Sequence, residues 1–461
     1  MPQESQVSIE SNVIWIDRVM RDLGFAPRTM LFAGGDAGLL DVVLHRPDDP
    51  EVRRWLPLAR IHGEPHTGVG RFRRHQVPGG PTAADAAAVD TALRGELQRL
   101  APGDGLLFIF NGHGAWGTPN AAHNTLRLWG ESALDVRTYA ELLTLKRSGA
   151  TVRHVFPQCY AGGFVRALFD QPARPRLDEI KSGQCGFFAV PEHLEAEGCT
   201  PGIDVAEYRD YSTYFFAALA GEDRLGRALT RDPDLDGDGS VSLGEAHAYA
   251  YTEGHSTDLP FATSEYLLEL WQPWYVRWHS SVRPSGDNRY LKLALRLATV
   301  LGMEAREPTA LAREALTRRR AAMRVVAEQQ QQITELAERE HAVRVGLAAA
   351  FHLTWPAASQ PYSHAYVTLL ETQGEDLLAW IRAQADYPEL ETLQTELEQA
   401  QIQLLDLQRD ATSYARVQRM LKLANVLEHF ERLATPEARE TYAALQHCEN
   451  WAPPTGPVPH D

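Results

Sequence analysis

The 461-residue sequence predicts an α/β domain with a mostly parallel central sheet, followed by an all-α, coiled-coil arm. Two observations predict the first part. Short apolar runs recur as TMLFAG, GLLFIF, VRHVF and GFFAV, and amphipathic helical stretches separate them. One observation predicts the second. After Glu307 glycine almost vanishes, and Gln, Glu, Arg, Ala and Leu dominate.

The elements follow in chain order. A helix is expected over Ser11–Leu23 and a strand over Thr29–Gly34. QVSIE is the only stretch ahead of that helix that could supply a further strand. Residues 44–82, rich in Pro, Gly, Arg and His, read as a surface insertion. Thr82–Ala101 predicts a helix with Thr82 as its cap. Strands follow at Gly105–Phe110, Thr125–Gly130, Val152–Phe156 and Gly186–Val190. Helices are expected at Val136–Leu145, from about Gly162, and at Glu207–Ala220, Leu243–Glu253, Ser264–Trp278 and Asn288–Gly302. Pro308–Leu353 reads as one long helix, broken at Pro356, and Ala365–Ala385 as another. From Leu390 the seam Leu390, Leu393, Leu397, Ala400, Leu404, Leu407, Ala411 and Tyr414 alternates spacings of three and four. Ile333, Leu336, Val343 and Leu347 give the earlier helix a weaker seam, so an antiparallel arm is expected. The domains expected are 1–303, 304–450 and a disordered tail over 451–461.

Composition excludes several classes. A net charge of -16 and a pI near 5.5 oppose nucleic-acid binding, which needs basic patches. No window approaches a membrane span, and MPQESQVSIESN is not a secretory signal. Cys159, Cys185, Cys199 and Cys448 show no paired spacing, which suggests a reducing, cytoplasmic setting.

Two runs end on reactive side chains. FIFNGHGAWG places His113 three residues past Phe110, and VFPQCYAGGF places Cys159 three past Phe156. In an open parallel sheet, ligands bind beyond the carboxyl ends of the strands, so neighbouring strands would deliver both side chains to one rim. A thiolate is the nucleophile, and an imidazole can manage the protons. Gly112 and Gly114 let a substrate backbone approach, while Gly162 and Gly163 open a helix whose N-terminus favours a thiolate. Each residue taken alone suits a loop histidine or a buried thiol. The pairing, 46 residues apart behind two apolar strands, is what points to catalysis.

On these residues, His113-Gly114 and Gln158-Cys159-Tyr160-Ala161-Gly162-Gly163, the region from 10 to 300 resembles the caspase-like cysteine peptidase clan, which includes caspases, metacaspases, legumains and gingipains. The Leu128–Gly130 segment is similar to bacterial legumain-like members. The resemblance implies a caspase-like three-layer fold. It makes Cys159 the nucleophile, His113 the general acid/base, and the Gly114 and Cys159 amides the oxyanion hole. It also implies protein substrates and a maturation cut within Phe169–Gln184, at Arg174, Arg176 or Lys181. Where the clan often carries a charged residue two positions before the cysteine, this chain has Pro157, so specificity does not transfer; the acidic balance leans towards cleavage after Arg or Lys. Glutamine amidotransferases also use an elbow cysteine and a later His-x-Glu, here His193-Leu194-Glu195. Their elbow needs glycines where this chain has Pro157 and Ala161.

DLDGDGSVSLGE, Asp234 to Glu245, fits the EF-hand loop at every position. Asp234, Asp236, Asp238, Ser240 (through its carbonyl) and Glu245 are the expected calcium ligands, with Gly239 at the turn and Ser242 acting through water. The helical arm, 308–447, carries no catalytic pattern and is expected to bind a partner or activator. A catalytically silent scaffold working through that arm is the alternative function.

Overall fold

The computed structural model describes residues 5–25, 29–45, 49–63, 70–198, 204–273, 276, 284–361 and 363–453. It divides into two compact units. The first is Met1–Val42, Arg73–Arg319 and Thr412–Asp461; the second is Val43–Phe72 and Arg320–Ala411. The chain is mixed α/β with parallel strands and a long C-terminal helical region.

The strands are β1 Ser5–Gln6, β2 Val42–His45, β3 Gly70–Arg73, β4 Gly105–Ile109, β5 Gly114–Ala115, β6 Thr125–Arg127, β7 Ala133–Asp135, β8 Thr151–Phe156, β9 Gln184–Phe188 and β10 Phe261–Ala262. The helices are α1 Val7–Asp22, α2 Pro50–Ile61, α3 Ala86–Arg99, α4 Val136–Leu143, α5 Tyr211–Ala220, α6 Leu243–Glu253, α7 Thr263–Trp271, α8 Arg289–Val300, α9 Pro308–Thr354, α10 His364–Arg382, α11 Tyr387–Leu433 and α12 Pro436–Glu449.

In the first unit a four-stranded sheet runs β10-β9-β8-β4, with β4–β8 and β8–β9 parallel and β10 antiparallel. Val155, Phe156, Phe187 and Phe188 are buried on it, as expected of strands covered on both faces. A small antiparallel sheet, β5-β6-β7, stands beside the carboxyl end of β4.

Four local expectations are corrected. Thr29–Gly34 makes only a single bridge, Leu31 to Thr82: Phe32 N–H donates to Thr82 O, and Thr82 N–H to Met30 O. Its backbone is thus satisfied by the 82–84 segment instead of by β4, which stays at the sheet edge. Of QVSIE only Gln6 is in a strand, the two-residue β1, and Val7–Glu10 open α1. The 44–82 insertion contains α2, started by Asp49, whose side chain accepts Glu51 N–H, and by Pro50 at the first turn. Asp85, not Thr82, caps α3.

In the second unit α9 and α11 run antiparallel along the expected seam. Ile333, Leu336, Leu393 and Ala400 are buried together, with Val343, Leu397 and Leu404 against them. Gln329 Nε2 donates to Ala400 O and Gln394 Nε2 to Glu340, which fixes the antiparallel register.

The boundary expected at 303/304 does not coincide with these units. The last half of α11 and all of α12 pack into the first: Val417, Met420, Leu423, Ala424, Val426, Leu427 and Phe430 share a core with Leu268, Tyr290 and Leu297. Cys185 on β9 and Cys448 on α12 are joined by a disulfide across 263 residues, a span over which no local spacing could announce the pair. Trp451, expected in the tail, stacks under the Arg153 guanidinium and accepts Leu243 N–H on its carbonyl. Residues 454–461 lie outside the described ones. Among the described residues no helix is long and apolar enough to cross a membrane.

Candidate active site

β4 and β8 pair in parallel with Ile109 opposite Val155, and the ladder ends with Phe110 N–H on Val155 O. The chain therefore leaves both strands at the same edge of the sheet, one carrying Gly112-His113-Gly114 and the other Pro157-Gln158-Cys159. The two departures meet at backbone contact. A Cβ placed on Gly114 would sit 1.9 Å from the Cys159 carbonyl oxygen, so only glycine fits between them. The structure thus brings the His113 and Cys159 segments together as the sequence predicted.

His113 sits where β5 begins. Its carbonyl accepts Arg127 N–H at 2.8 Å. Burial, and then the Arg127 charge, hold the His113 pKa below that of a free imidazole. The ring is consequently neutral near pH 7, the state that can accept a thiol proton.

Cys159 is partly buried and is not in a disulfide. Its Sγ accepts Ala196 N–H at 3.3 Å, and its thiol donates to Ala196 O at 3.6 Å, so the backbone of one residue holds the sulfur through both bonds. The next residue, Tyr160, holds a left-handed conformation (φ 57°, ψ 20°). It turns the chain into a 3-10 helix, Ala161–Leu168, in place of the α-helix expected from Gly162. Gly162 passes so close to the 190–192 segment that a Cβ would lie 2.5 Å from Glu192 N.

The 191–197 segment lies against Cys159. Tyr160 N–H donates to Leu194 O and the Tyr160 hydroxyl to Glu195, both at 2.8 Å. The Glu195 of His193-Leu194-Glu195 is therefore engaged by a tyrosine. Arg166 grips Glu192 with two bonds of 2.6 and 2.9 Å.

Sequence reasoning missed Asn124. Fully buried, it accepts Gly117 N–H on Oδ1 (3.0 Å) and donates from Nδ2 to Tyr160 O (3.2 Å) and Glu192 O (2.8 Å). One side chain thereby ties the histidine loop, the cysteine turn and the covering segment. Nothing in AAHNTL announces this, because the three partners are remote in sequence. Gln158 was quoted only as part of the nucleophile motif. Its amide is buried and neither polar atom has a hydrogen-bond partner.

A cavity of about 1070 Å³ opens along the edge of β4 and reaches His113, Gly114, Arg127 and Trp129, but Cys159 does not line it. Trp116, two residues past Gly114, is exposed.

The acidic loop is partly assembled. Carboxylate oxygens of Asp234, Asp236 and Glu245 lie within 4.8 Å of one another. Asp234 accepts Gly237 and Gly239 N–H, and Glu245 accepts Leu235 and Ser242 N–H. Glu245 also closes a capping box with Ser242 at the start of α6. The Asp238 carboxylate is not in this cluster: its Oδ1 accepts Ser240 N–H and Oγ–H at 2.8 and 2.7 Å.

In the expected maturation segment, Arg174 and Arg176 are exposed, while Lys181 is held by the Ala140 and Ala167 carbonyls. Cys199 lies outside the described residues. No family model, curated protein or solved structure matches the chain.

Proposed function

We propose that the protein is a caspase-like cysteine endopeptidase acting through Cys159 and His113. The observation that carries this reading is the contact of Gly114 with the Cys159 carbonyl, which sets a neutral imidazole segment against a thiol at the carboxyl edge of a parallel sheet. His113 takes the thiol proton, and Sγ attacks the peptide carbonyl carbon. Amides at Gly114 and Cys159 receive the developing oxyanion. Collapse breaks the C–N bond, His113 returns its proton to the amine, and water then hydrolyses the thioester, regenerating the thiol. Substrates are proteins, and the acidic balance favours Arg or Lys before the cut.

Asp234, Asp236 and Glu245 fit a calcium ion: three carboxylates converge in a loop whose backbone already wraps them. Bound calcium would supply positive charge that stabilises this loop at the head of α6. Activation by a partner at 308–447, or by cutting at the exposed Arg174 or Arg176, is the regulation this reading carries; the Cys185–Cys448 disulfide speaks against the reducing, cytoplasmic setting that the cysteine spacing suggests.

Mass-spectrometric alkylation tests it. Cys159 should react at least ten-fold faster than an unfolded-chain cysteine at pH 7, and His113→Ala should abolish that excess. Equal rates would refute the pairing.

A further inference from the structure

Helix α11 buries an arginine in the first unit. Arg416 is fully buried, and its guanidinium is spent on main-chain carbonyls. Nε donates to Asp258 O at 2.9 Å, and Nη2 to Asp258 O, Ser256 O and Ser256 Oγ at 2.7, 3.1 and 2.9 Å. Nη1 donates to Gly254 O and, at 3.4 Å, to Tyr251 O. Holding a helix to a core needs only apolar side chains, and burying a guanidinium is costly. Its planar fork does what an apolar residue cannot: it fixes the conformation of the 254–258 loop from one side.

That loop is bonded in turn to the segment over the nucleophile. Asp258 accepts Glu197 N–H at 2.8 Å on one carboxyl oxygen and Tyr211 N–H at 3.0 Å on the other. Thr257 N–H donates to Glu197 Oε2 at 2.9 Å. The residue before Glu197 is Ala196, whose N–H meets Cys159 Sγ. A second arginine one turn along α11 reinforces the same region. Arg419 pairs with buried Glu265 at 2.6 Å, Glu265 lies 3.6 Å from His247, and His247 bonds the Tyr211 hydroxyl.

We infer that Arg416 is a positioning residue for Cys159: through the 254–258 loop and Glu197 it sets the Ala196 backbone against the sulfur, so the part of α11 that belongs to the first unit completes the active site. This rests on Cys159 being the nucleophile.

The test is iodoacetamide alkylation of Cys159 in the full chain, followed by mass spectrometry across pH 5–10, with cooperative melting as the check on folding. Arg416→Met should move the midpoint of the alkylation profile and change the reaction rate at pH 7 several-fold, since both bonds between Ala196 and the sulfur loosen together. Arg416→Lys should recover part of that change. Should Arg416→Met fail to melt cooperatively, Glu197→Ala, at the partly exposed middle of the relay, decides, with a shift in the same direction expected. An unchanged midpoint in the deciding variant overturns the inference. The readout needs no turnover. Failure of the peptidase reading would show as absent hydrolysis with the midpoint shift intact, and failure of the relay as intact hydrolysis with no shift.

Discussion

Gly114 is where sequence and site meet most tightly. With a Cβ 1.9 Å from the Cys159 carbonyl, Gly114→Ala must push one backbone away from the other. We expect it to lower peptidase activity by at least 100-fold and to lower the melting temperature as well, checked by kinetics beside calorimetry. Asn124→Ala differs in kind. It strands Gly117 N–H, Tyr160 O and Glu192 O, three part-buried groups, and should cost about 2 kcal/mol in denaturant unfolding as well as activity. On the proposed mechanism His113 sets the pH dependence. Its pKa lies below 6.5 because of burial and Arg127, and the proposal takes the neutral ring as the base. Activity should therefore persist as pH falls to 6.5 and decline only below it. An acid limb centred above 6.5 would contradict this assignment.

At the scale of elements, the strands that carry the dyad were legible because each is an apolar run ended by small residues. The calcium-type loop was legible because its spacing is local. Thr29–Gly34 misled because apolar content was equated with pairing, whereas its hydrogen bonds go to Thr82. Helix α2 was hidden in a polar insertion, although Asp49-Pro50 is a start signal and Leu58 and Ile61 supply a buried face. The docking of α12 could not be read from sequence, since Glu449 and its partner Ser264 lie 185 residues apart. It carries its own prediction. Burial raises the Glu449 carboxyl to about 7, against bonds from Ser264 N and Oγ that pull the other way. The folded chain thus holds a proton the unfolded chain releases near 4.5. Its contribution is complete below pH 4.5 and is lost as pH rises through 7, about 3 kcal/mol in all. Glu449→Gln should flatten unfolding free energy across that window relative to wild type; identical slopes would remove Glu449 as the cause.

For the whole molecule, the coiled-coil pattern was legible but its ownership was not. The heptad continues through Ala411 and Tyr414, yet compact unit boundaries fall at Thr412, where arginines and core residues begin to face the first unit. Periodicity reports a helix, not what covers it. The Cys185–Cys448 bond closes the first unit's sheet to its last helix. Cross-linking so long a loop contributes about 5 kcal/mol in the chain-entropy account. Dithiothreitol should therefore lower the melting temperature by several degrees. Unreduced, unfolded chain should titrate no more than two of its four cysteines; a count of four would remove the bond.

The central claim is tested most directly by hydrolysis of a mixed fluorogenic peptide library by wild type, Cys159→Ala and His113→Ala, each with calcium and with chelator. The account predicts cleavage by wild type, preferentially after Arg or Lys, and none by either variant. Cleavage that survives Cys159→Ala, or a wild type silent in every condition, would contradict it.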